Sequence, residues 1–248
     1  MTVPKSHPRY ESLRIREMLS AGFLSGAVAL EGVMAHGRGE ALDYILGEET
    51  PTTSKAAARA AAATLLLSSY PVISVNGNVA ALCSREIVNL SCVSSSKIEV
   101  NLFYDSMQRR RIIIGMLRRA GAREVLGLEK TSVIEGFESA RRMTSYDGIY
   151  KADTVIVPLE DGDRTQSLVD MGKKVITIDL NPLSRTARTA SITIVDNIVR
   201  ALPLLASYCR EMKSYDTKQL EEIVEFDNMI NLKECVQHIK EGLKDSYA

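Results

Sequence analysis

The feature that most restricts the fold of this chain is an alternation, from Pro71 onward, of short β-branched runs with segments of helix length. The clearest runs are Val72–Val75, Ile98–Phe103, Thr154–Leu159 and Lys174–Asp179. Parallel strands need long crossover connections, so this alternation is typical of βαβ units. It predicts an α/β fold, with a Rossmann-like, mainly parallel sheet and helices on both faces.

Helical segments precede and follow this core. A chain of 248 residues fits one large α/β domain, so we expect a single domain over residues 1–248. Its three parts are a helical N-terminal segment at 1–70, the Rossmann-like core at 71–213 and a helical C-terminal segment at 214–248. The last segment carries apolar residues at helical spacing, which predicts that it packs on the core.

Two features of the N-terminal segment carry more specific expectations. The alanine-rich run that ends at Ser68 is predicted to be a helix capped by Thr53 or Ser54. Gly37 and Gly39 interrupt an otherwise helical pattern, which indicates either a break or a close approach of another backbone.

The middle of the core is harder to assign to regular elements. Val125–Leu128 is short and apolar enough to form a further strand. Thr131–Lys151 has two glycines, mixed charge and no clear period, which predicts a long functional loop or an insertion at the sheet edge.

Composition excludes several classes of protein. The 31 basic and 31 acidic residues cancel to a net charge of zero, which removes the long-range attraction to nucleic acid. The apolar stretches are shorter than the roughly 20 residues of a membrane span, and no uninterrupted apolar segment follows the basic N-terminus. We therefore expect a cytoplasmic protein that binds neither nucleic acid nor membrane.

The four cysteines form no C-x-x-C pair, so no zinc or redox motif is indicated.

The first strand is followed by a turn that is suited to an anion. Ligands of doubly wound sheets bind outside the carboxyl ends of the strands, so the loops at those ends are where chemistry is expected. Asn76, Gly77 and Asn78 begin a helix there, and free N–H groups at a helix N-terminus attract anions. A plain strand-to-helix turn with an Asn cap is the alternative. Val79 and Leu82 stand where a dinucleotide motif G-x-G-x-x-G would need glycines.

A second loop, after Thr154–Leu159, concentrates acidic residues. Glu160, Asp161 and Asp163 lie close to Arg164 at the start of a predicted helix. Carboxylates in this position suit Mg²⁺, which prefers oxygen ligands, or an amine substrate. The alternative is helix capping by Asp163, which needs no ligand.

The loop after Lys174–Asp179 is rich in hydrogen-bond donors. Asp179 at the strand end is placed like an acceptor for ribose hydroxyls, while Arg185 and Arg188 would bind phosphates as planar forks. A solvated basic loop is the alternative. Asp196 and Asn197 form a further polar pair at the end of the next strand.

The residues alone indicate a phosphate-handling enzyme without fixing its reaction. An NAD(P)-dependent oxidoreductase and a non-catalytic nucleotide-binding module stay open on this evidence. His7 and His36 each stand near an arginine, and both anion contact and a structural role remain open for them.

Five motifs, in order along the chain, carry a family resemblance. They are Pro4–Tyr10 (PKSHPRY), Ala35–Ala41 (AHGRGEA), Val72–Leu82 (VISVNGNVAAL), Pro158–Thr165 (PLEDGDRT) and Ile178–Arg185 (IDLNPLSR). Together they resemble the archaeal phosphopantothenate synthetases, also called 4-phosphopantoate–β-alanine ligases. The likeness runs over nearly the whole chain, and it is weakest at residues 134–150.

The resemblance implies a homodimeric enzyme of coenzyme A biosynthesis in an archaeon. Such an enzyme converts 4-phosphopantoate, β-alanine and ATP, with Mg²⁺, into 4′-phosphopantothenate, AMP and diphosphate. The nucleotide contacts that it implies fall on Arg16, Arg38, Asp179, Leu180, Asn181, Arg185, Thr186, Asn197 and Ile198. To these we add Gly77 as an anion contact.

We predict that Glu160, Asp161, Asp163 and Asn76 have catalytic roles. Adenylation of a carboxylate needs positioning and charge neutralisation more than proton transfer, so the lack of a His-centred triad is no obstacle. The chain has no G-x-x-x-x-G-K-[ST] loop to present a γ-phosphate, which favours an acyl-adenylate over an acyl-phosphate intermediate.

Overall fold

Five parallel strands form the centre of the computed structural model, which describes residues 4–245 of the chain. In chain order the strands are β1 (Pro71–Val75), β2 (Lys97–Val100), β3 (Ser132–Val133), β4 (Met143–Thr144), β5 (Thr154–Ile156), β6 (Lys174–Ile178) and β7 (Ile192–Ile194). The sheet order is β2-β1-β5-β6-β7, and each neighbouring pair is parallel. The strand order reverses between β1 and β5, which makes that crevice the topological switch point.

Helices surround this sheet. The α-helices are α1 (Tyr10–Leu24), α2 (Leu30–Leu46), α3 (Thr52–Leu67), α4 (Gly77–Ser94), α5 (Met107–Arg119), α6 (Gly162–Asp170), α7 (Arg185–Thr189), α8 (Ile198–Glu211), α9 (Thr217–Val224) and α10 (Asn228–Asp245). All residues of β1, β5 and β7 are buried, as expected for a parallel sheet that is covered on both faces. The predicted fold class is confirmed. The division at residues 70 and 213 stays a prediction.

The alanine-rich helix explains how the N-terminal segment joins the core. Six alanines of α3 are at most 1% exposed, and the helix packs on α8 and β7. The predicted cap is wrong, because Pro51 precedes the helix and no side chain caps it. Ser54 instead lies inside α3, where its hydroxyl donates to the carbonyl of Val195.

Two other local predictions are corrected. Helix α2 runs without a break through Gly37 and Gly39, and a methyl group on Gly37 would have no neighbour within 4 Å. Val125–Leu128 forms no strand, since only Leu126 makes a bridge, to Glu99 of β2.

The segment Thr131–Lys151 is an insertion at the sheet edge, one of its two predicted forms. It contains the antiparallel pair β3–β4 and two short helical turns, Ala140–Arg142 and Tyr146–Tyr150. Asn101, directly after β2, donates its side-chain amide to the carbonyls of Arg141 and Met143. These hydrogen bonds fix the insertion beside the carboxyl ends of the strands.

Within residues 4–245, no helix has the length and apolar character needed to cross a bilayer.

Candidate active site

Asn76 and Gly77 shape the end of β1 through contacts with the protein itself. The Asn76 side chain caps α4 by accepting from the amide of Val79 at 3.0 Å. Its amide group also donates to the carbonyls of Pro158 and Leu159, both at 3.2 Å. Asn76 therefore joins the two loops on either side of the switch point.

Gly77 is required by a close approach of backbone. A methyl group at Gly77 would lie 2.2 Å from the carbonyl oxygen of Ala27. Beside it, the side chain of Asn78 donates to the carbonyl of Gly32 at 2.8 Å. The connection between α1 and α2 thus covers one side of the α4 N-terminus, and the anion contact at Gly77 stays a prediction.

The acidic loop is organised around a buried carboxylate. The side chain of Glu160 is only 2% exposed, and it pairs with the guanidinium groups of Arg141 and Arg164. Arg164 is fully buried and also donates to the hydroxyl of Ser74 in β1. Burial lowers the pKa of Arg141 to about 9, helped by repulsion from Arg164, and lowers the pKa of Arg164 to about 10.

The other two acids of this loop lie nearer the surface. Asp161, and not Asp163, caps α6, because its carboxylate accepts from the amide of Arg164 at 2.9 Å. The second oxygen of Asp161 lies 3.1 Å from Nη1 of Arg141. Asp163 is exposed and pairs with Arg185. An acidic residue of this loop therefore does cap α6, as the alternative held, but the residue is Asp161 and not Asp163.

These pairings test the expectation that the acidic loop holds Mg²⁺. Glu160 and Asp161 both face the guanidinium of Arg141, and Asp163 faces Arg185, so arginines already occupy the positions where a cation would bind. Among residues 4–245 no group of three His, Cys, Asp or Glu side chains could hold a metal ion. The loop does not fit a metal centre made of protein carboxylates.

Asp179 shapes the loop after β6. One carboxylate oxygen accepts from the amide of Asn181 at 2.9 Å, and the other accepts from the hydroxyl of Ser184. Burial raises the pKa of Asp179. The loop meets the acidic loop directly, because the hydroxyl of Thr186 donates to the carbonyl of Glu160 at 3.0 Å.

Helix α2 reaches the ends of β6 and β7. Leu46 of α2 and Leu180 are buried in one apolar cluster. The side chain of Asn197 caps α8 and donates to Asp43 of α2 at 2.7 Å. Arg200 pairs with the same Asp43. Ile198 is 2% exposed, so only its backbone is suited to a ligand.

Arg16 and Arg38 lie in different surroundings. Arg16 of α1 makes two contacts with Glu40 of α2, Nε to Oε2 at 2.9 Å and Nη2 to Oε1 at 2.6 Å. Arg38 is exposed. The structure thus joins the acidic loop to the Asp179 loop and Asn197 to α2, while Arg16 pairs with Glu40.

Comparison with known sequences identifies the family of the chain. The family model described as phosphopantothenate/pantothenate synthetase matches residues 53–242. The chain belongs to this synthetase family. The 4-phosphopantoate–β-alanine ligase of Thermococcus kodakarensis is 51% identical over 245 residues, which cover 98% of this chain and 94% of that protein. The ligases of Methanosarcina mazei (49% identical, 98% and 96% covered) and Methanospirillum hungatei (44% identical, 97% and 98% covered) are also similar.

Several residues of the candidate site are not predicted from the sequence. Arg141 lies in the aperiodic insertion, Ser74 lies within a strand, and Asp43 lies on a helix far from Asn197 in sequence. The role of Asp43 could have been predicted, because a charged residue on the apolar side of a helix normally has a buried partner. No pattern in a single sequence indicates that Arg141 belongs to the site.

Proposed function

We propose that this chain is an ATP-dependent ligase that joins 4-phosphopantoate to β-alanine and gives 4′-phosphopantothenate, AMP and diphosphate. The observation that carries the proposal is the similarity to ligases of that name, at 44% to 51% identity over almost the whole chain. Polar loops at the carboxyl ends of adjacent strands support it, because this is where doubly wound sheets bind nucleotides.

The proposed reaction has two steps. A carboxylate oxygen of 4-phosphopantoate attacks the α-phosphorus of ATP, and diphosphate leaves with the bonding electrons. The amine of β-alanine then attacks the acyl carbon of the adenylate, and AMP leaves after the amine loses its proton. Neither step needs a nucleophilic side chain, so positioning and electrostatic stabilisation carry most of the catalysis.

The nucleotide-binding roles of the site residues rest on the family resemblance. We assign nucleotide binding to the loops that contain Asp179 and Asn197, with Arg16, Arg38 and Arg185 as candidate phosphate contacts. The full nucleotide set is Arg16, Arg38, Asp179, Leu180, Asn181, Arg185, Thr186, Asn197, Ile198 and Gly77.

The acidic loop and Asn76 receive different roles. Asp161 and Asp163 are the accessible carboxylates for the ammonium of β-alanine. Glu160 and Asn76 hold the loops around the switch point through Arg141, Arg164 and two carbonyls. Mg²⁺ is expected to arrive as its ATP complex, because the three acids already pair with arginines.

We further propose that the enzyme is a homodimer that works in the cytoplasm. Light scattering coupled to size-exclusion chromatography tests the dimer, which is expected at twice the chain mass of 27.3 kDa. A mass equal to one chain would contradict it.

Isotope labelling tests the chemistry. The protein is incubated with ATP, Mg²⁺, β-alanine and 4-phosphopantoate that carries ¹⁸O in its carboxylate, and the products are identified by mass spectrometry. We expect 4′-phosphopantothenate and AMP that carries one ¹⁸O atom. Label in inorganic phosphate, with ADP as the co-product, would show an acyl-phosphate route instead. Absence of any amide product would overturn the proposed function.

A further inference from the structure

Helix α2 turns a largely apolar side toward solvent. Its inner side is occupied, because Asp43 binds Asn197 and Leu46 lies in a buried cluster. The exposed positions recur every three or four residues, so they form one face along the helix, which we call the outer face of α2. They are Leu30, Glu31, Met34, Ala35, Gly37, Arg38, Ala41, Tyr44 and Ile45. Two of these positions carry a charge, whereas the solvent side of a helix is normally polar throughout.

The apolar side chains of this face are large and open. Met34 is 67% exposed, Leu30 is 57% exposed, and Leu24, at the end of α1 just before this helix, is 84% exposed. Soluble monomers rarely leave a contiguous apolar patch of this kind uncovered. A helix that lies on a membrane surface carries several basic residues beside its apolar face, and here Arg38 is the one basic residue of the outer face. A protein partner is therefore the occupant that the composition favours.

The two edges of the outer face are complementary in charge and in shape. Glu31 and Arg38 lie seven residues apart, or about two turns, on the same edge, and neither has an ion pair within residues 4–245. Leu30 and Gly37, also seven residues apart, lie on the other edge. A methyl group on Gly37 would meet no atom of the described residues within 4 Å. One edge thus holds an acid and a base, and the other holds a bulky side chain and an open space.

These features match a two-fold arrangement of two identical helices. When two helices lie antiparallel about a two-fold axis, positions equally far before and after the axis face each other, and each edge meets the same edge of the other helix. The midpoints of the Glu31–Arg38 and Leu30–Gly37 pairs both fall beside Met34. One axis at Met34 therefore sets Glu31 opposite Arg38 of the second copy and Leu30 opposite Gly37 of the second copy, and each contact is made twice.

We propose that the outer face of α2 is the dimer interface of this protein, with two copies of α2 packed antiparallel about a two-fold axis at Met34. The partner is a second copy of this chain, so the inference rests on the homodimer in the proposed function. Leu30 fills the space at Gly37 of the second copy, and the two Glu31–Arg38 pairs set the register. The guanidinium of Arg38 has five N–H donors, so this pairing leaves donors for the proposed phosphate contact.

The interface would also support the candidate site from behind. On the inner side of α2, Asp43 holds Asn197, and a methyl group on Gly39 would lie 3.4 Å from Leu180. The second copy would therefore press against the helix that holds the ends of the loops after β6 and β7. Assembly and the geometry of those two loops are coupled through the width of one helix.

The first test places a charge on the axis. In Met34→Glu two carboxylates would face each other across the two-fold axis, and like charges in an interface repel. Light scattering coupled to size-exclusion chromatography is expected to give a mass of one chain, 27.3 kDa, at concentrations where the wild type gives twice that mass. The control is Met229→Glu, since Met229 is also an exposed methionine, on α10, and this variant should stay dimeric. Thermal unfolding checks that both variants are folded.

The second test is specific to the proposed register. Glu31→Arg sets two arginines opposite each other and Arg38→Glu sets two glutamates opposite each other, so each should raise the dimer dissociation constant about tenfold or more. The double variant Glu31→Arg/Arg38→Glu restores opposite charges and should return the constant to within about threefold of the wild type. Sedimentation equilibrium measures the constant in all four proteins.

The outcomes separate this interface from the proposed function. A dimeric Met34→Glu protein, or a double variant as weak as the single variants, would overturn the interface while the homodimer stands. A wild-type mass of one chain together with formation of 4′-phosphopantothenate would overturn the homodimer and this interface but not the ligase function. A dimeric wild type that forms no product, with a monomeric Met34→Glu and a rescued double variant, would overturn the ligase function and leave the interface in place.

Discussion

Glu160 shows how its neighbours decide what a carboxylate can do. Its side chain is 2% exposed between Arg141 and Arg164, so it contributes charge compensation inside the protein and is not free to bind a metal. Burying two guanidinium groups is costly unless a negative charge stays close to them.

Glu160→Gln should therefore be strongly destabilising. Removal of one partner from a buried ion pair typically costs about 3–5 kcal/mol, because the remaining charge is left uncompensated. Urea unfolding measures the change in the free energy of unfolding. The control is Asp163→Asn, which breaks an exposed pair with Arg185 and should change it by about 0.5 kcal/mol or less. Equal effects of the two substitutions would contradict this account of Glu160.

His36 gives a second prediction at the residue scale, through pH. Burial is the largest cause of its lowered pKa, and the nearby Glu40 and Asp43 oppose the shift only in part. The folded protein therefore binds a proton on His36 less readily than the unfolded chain does. This contribution to stability is fully present above the usual histidine pKa of about 6.5, and it is lost as the pH falls below that value.

We expect the free energy of unfolding of the wild-type protein to fall when the pH is lowered from 7.5 to 5.5. In His36→Gln this fall should be smaller. Urea unfolding at the two pH values measures it. The exposed His238 on α10 is the control, and His238→Gln should leave the decrease as in the wild type. An unchanged pH response in His36→Gln would argue against a half-buried imidazole with a lowered pKa.

At the scale of elements, a buried carboxylate of β2, that of Glu99, helps Asn101 to hold the edge insertion in place. Glu99 accepts from the amides of Ser145 and Ile149 at 2.9 and 2.6 Å. A methyl group on Gly148 would lie 1.9 Å from Oε2 of Glu99, so only glycine fits there. The insertion also carries Arg141 to Glu160, which links this anchor to the acidic loop.

Gly148→Ala should therefore loosen the insertion and lower activity together. The added methyl must displace Glu99, and overpacking of this kind costs about 1–3 kcal/mol. Hydrogen exchange measures the opening, which we expect at residues 145–150 before it appears in β1. Gly115→Ala in α5 is the control, because there the nearest atom is the flexible end of Arg119. Unchanged exchange at residues 145–150 would exclude Glu99 as the anchor.

The same scale shows which elements a single sequence predicts. Strands and helices of the core were located because apolar β-branched runs and helical spacing are local signals. The strand predicted at Val125–Leu128 does not form. A strand needs a hydrogen-bonding partner along its whole length, and here only Leu126 bridges to β2. The alternative role of Asp163 as the cap of α6 is wrong because sequence alone does not show that the helix begins at Gly162.

For the whole molecule, the candidate site was only partly predictable. Loops after parallel strands converge by topology, so the meeting of Thr186 with Glu160 follows from the fold. The contact of Asp43 with Asn197 joins positions 154 residues apart, and Arg141 comes from a segment without periodicity. Such contacts depend on how α2 and the insertion dock, which no local pattern encodes.

The docking of α2 has a consequence for any attempt to shorten this protein. The family model begins at residue 53, after α1 and α2, yet Asp43 binds Asn197 and Leu46 covers Leu180. A fragment cut at that point would expose an apolar cluster and would leave Arg200 with Asp196 alone as its carboxylate partner. The start of the recognisable family region is therefore not a place where the polypeptide can be divided, and expression of the excised core should give aggregated material.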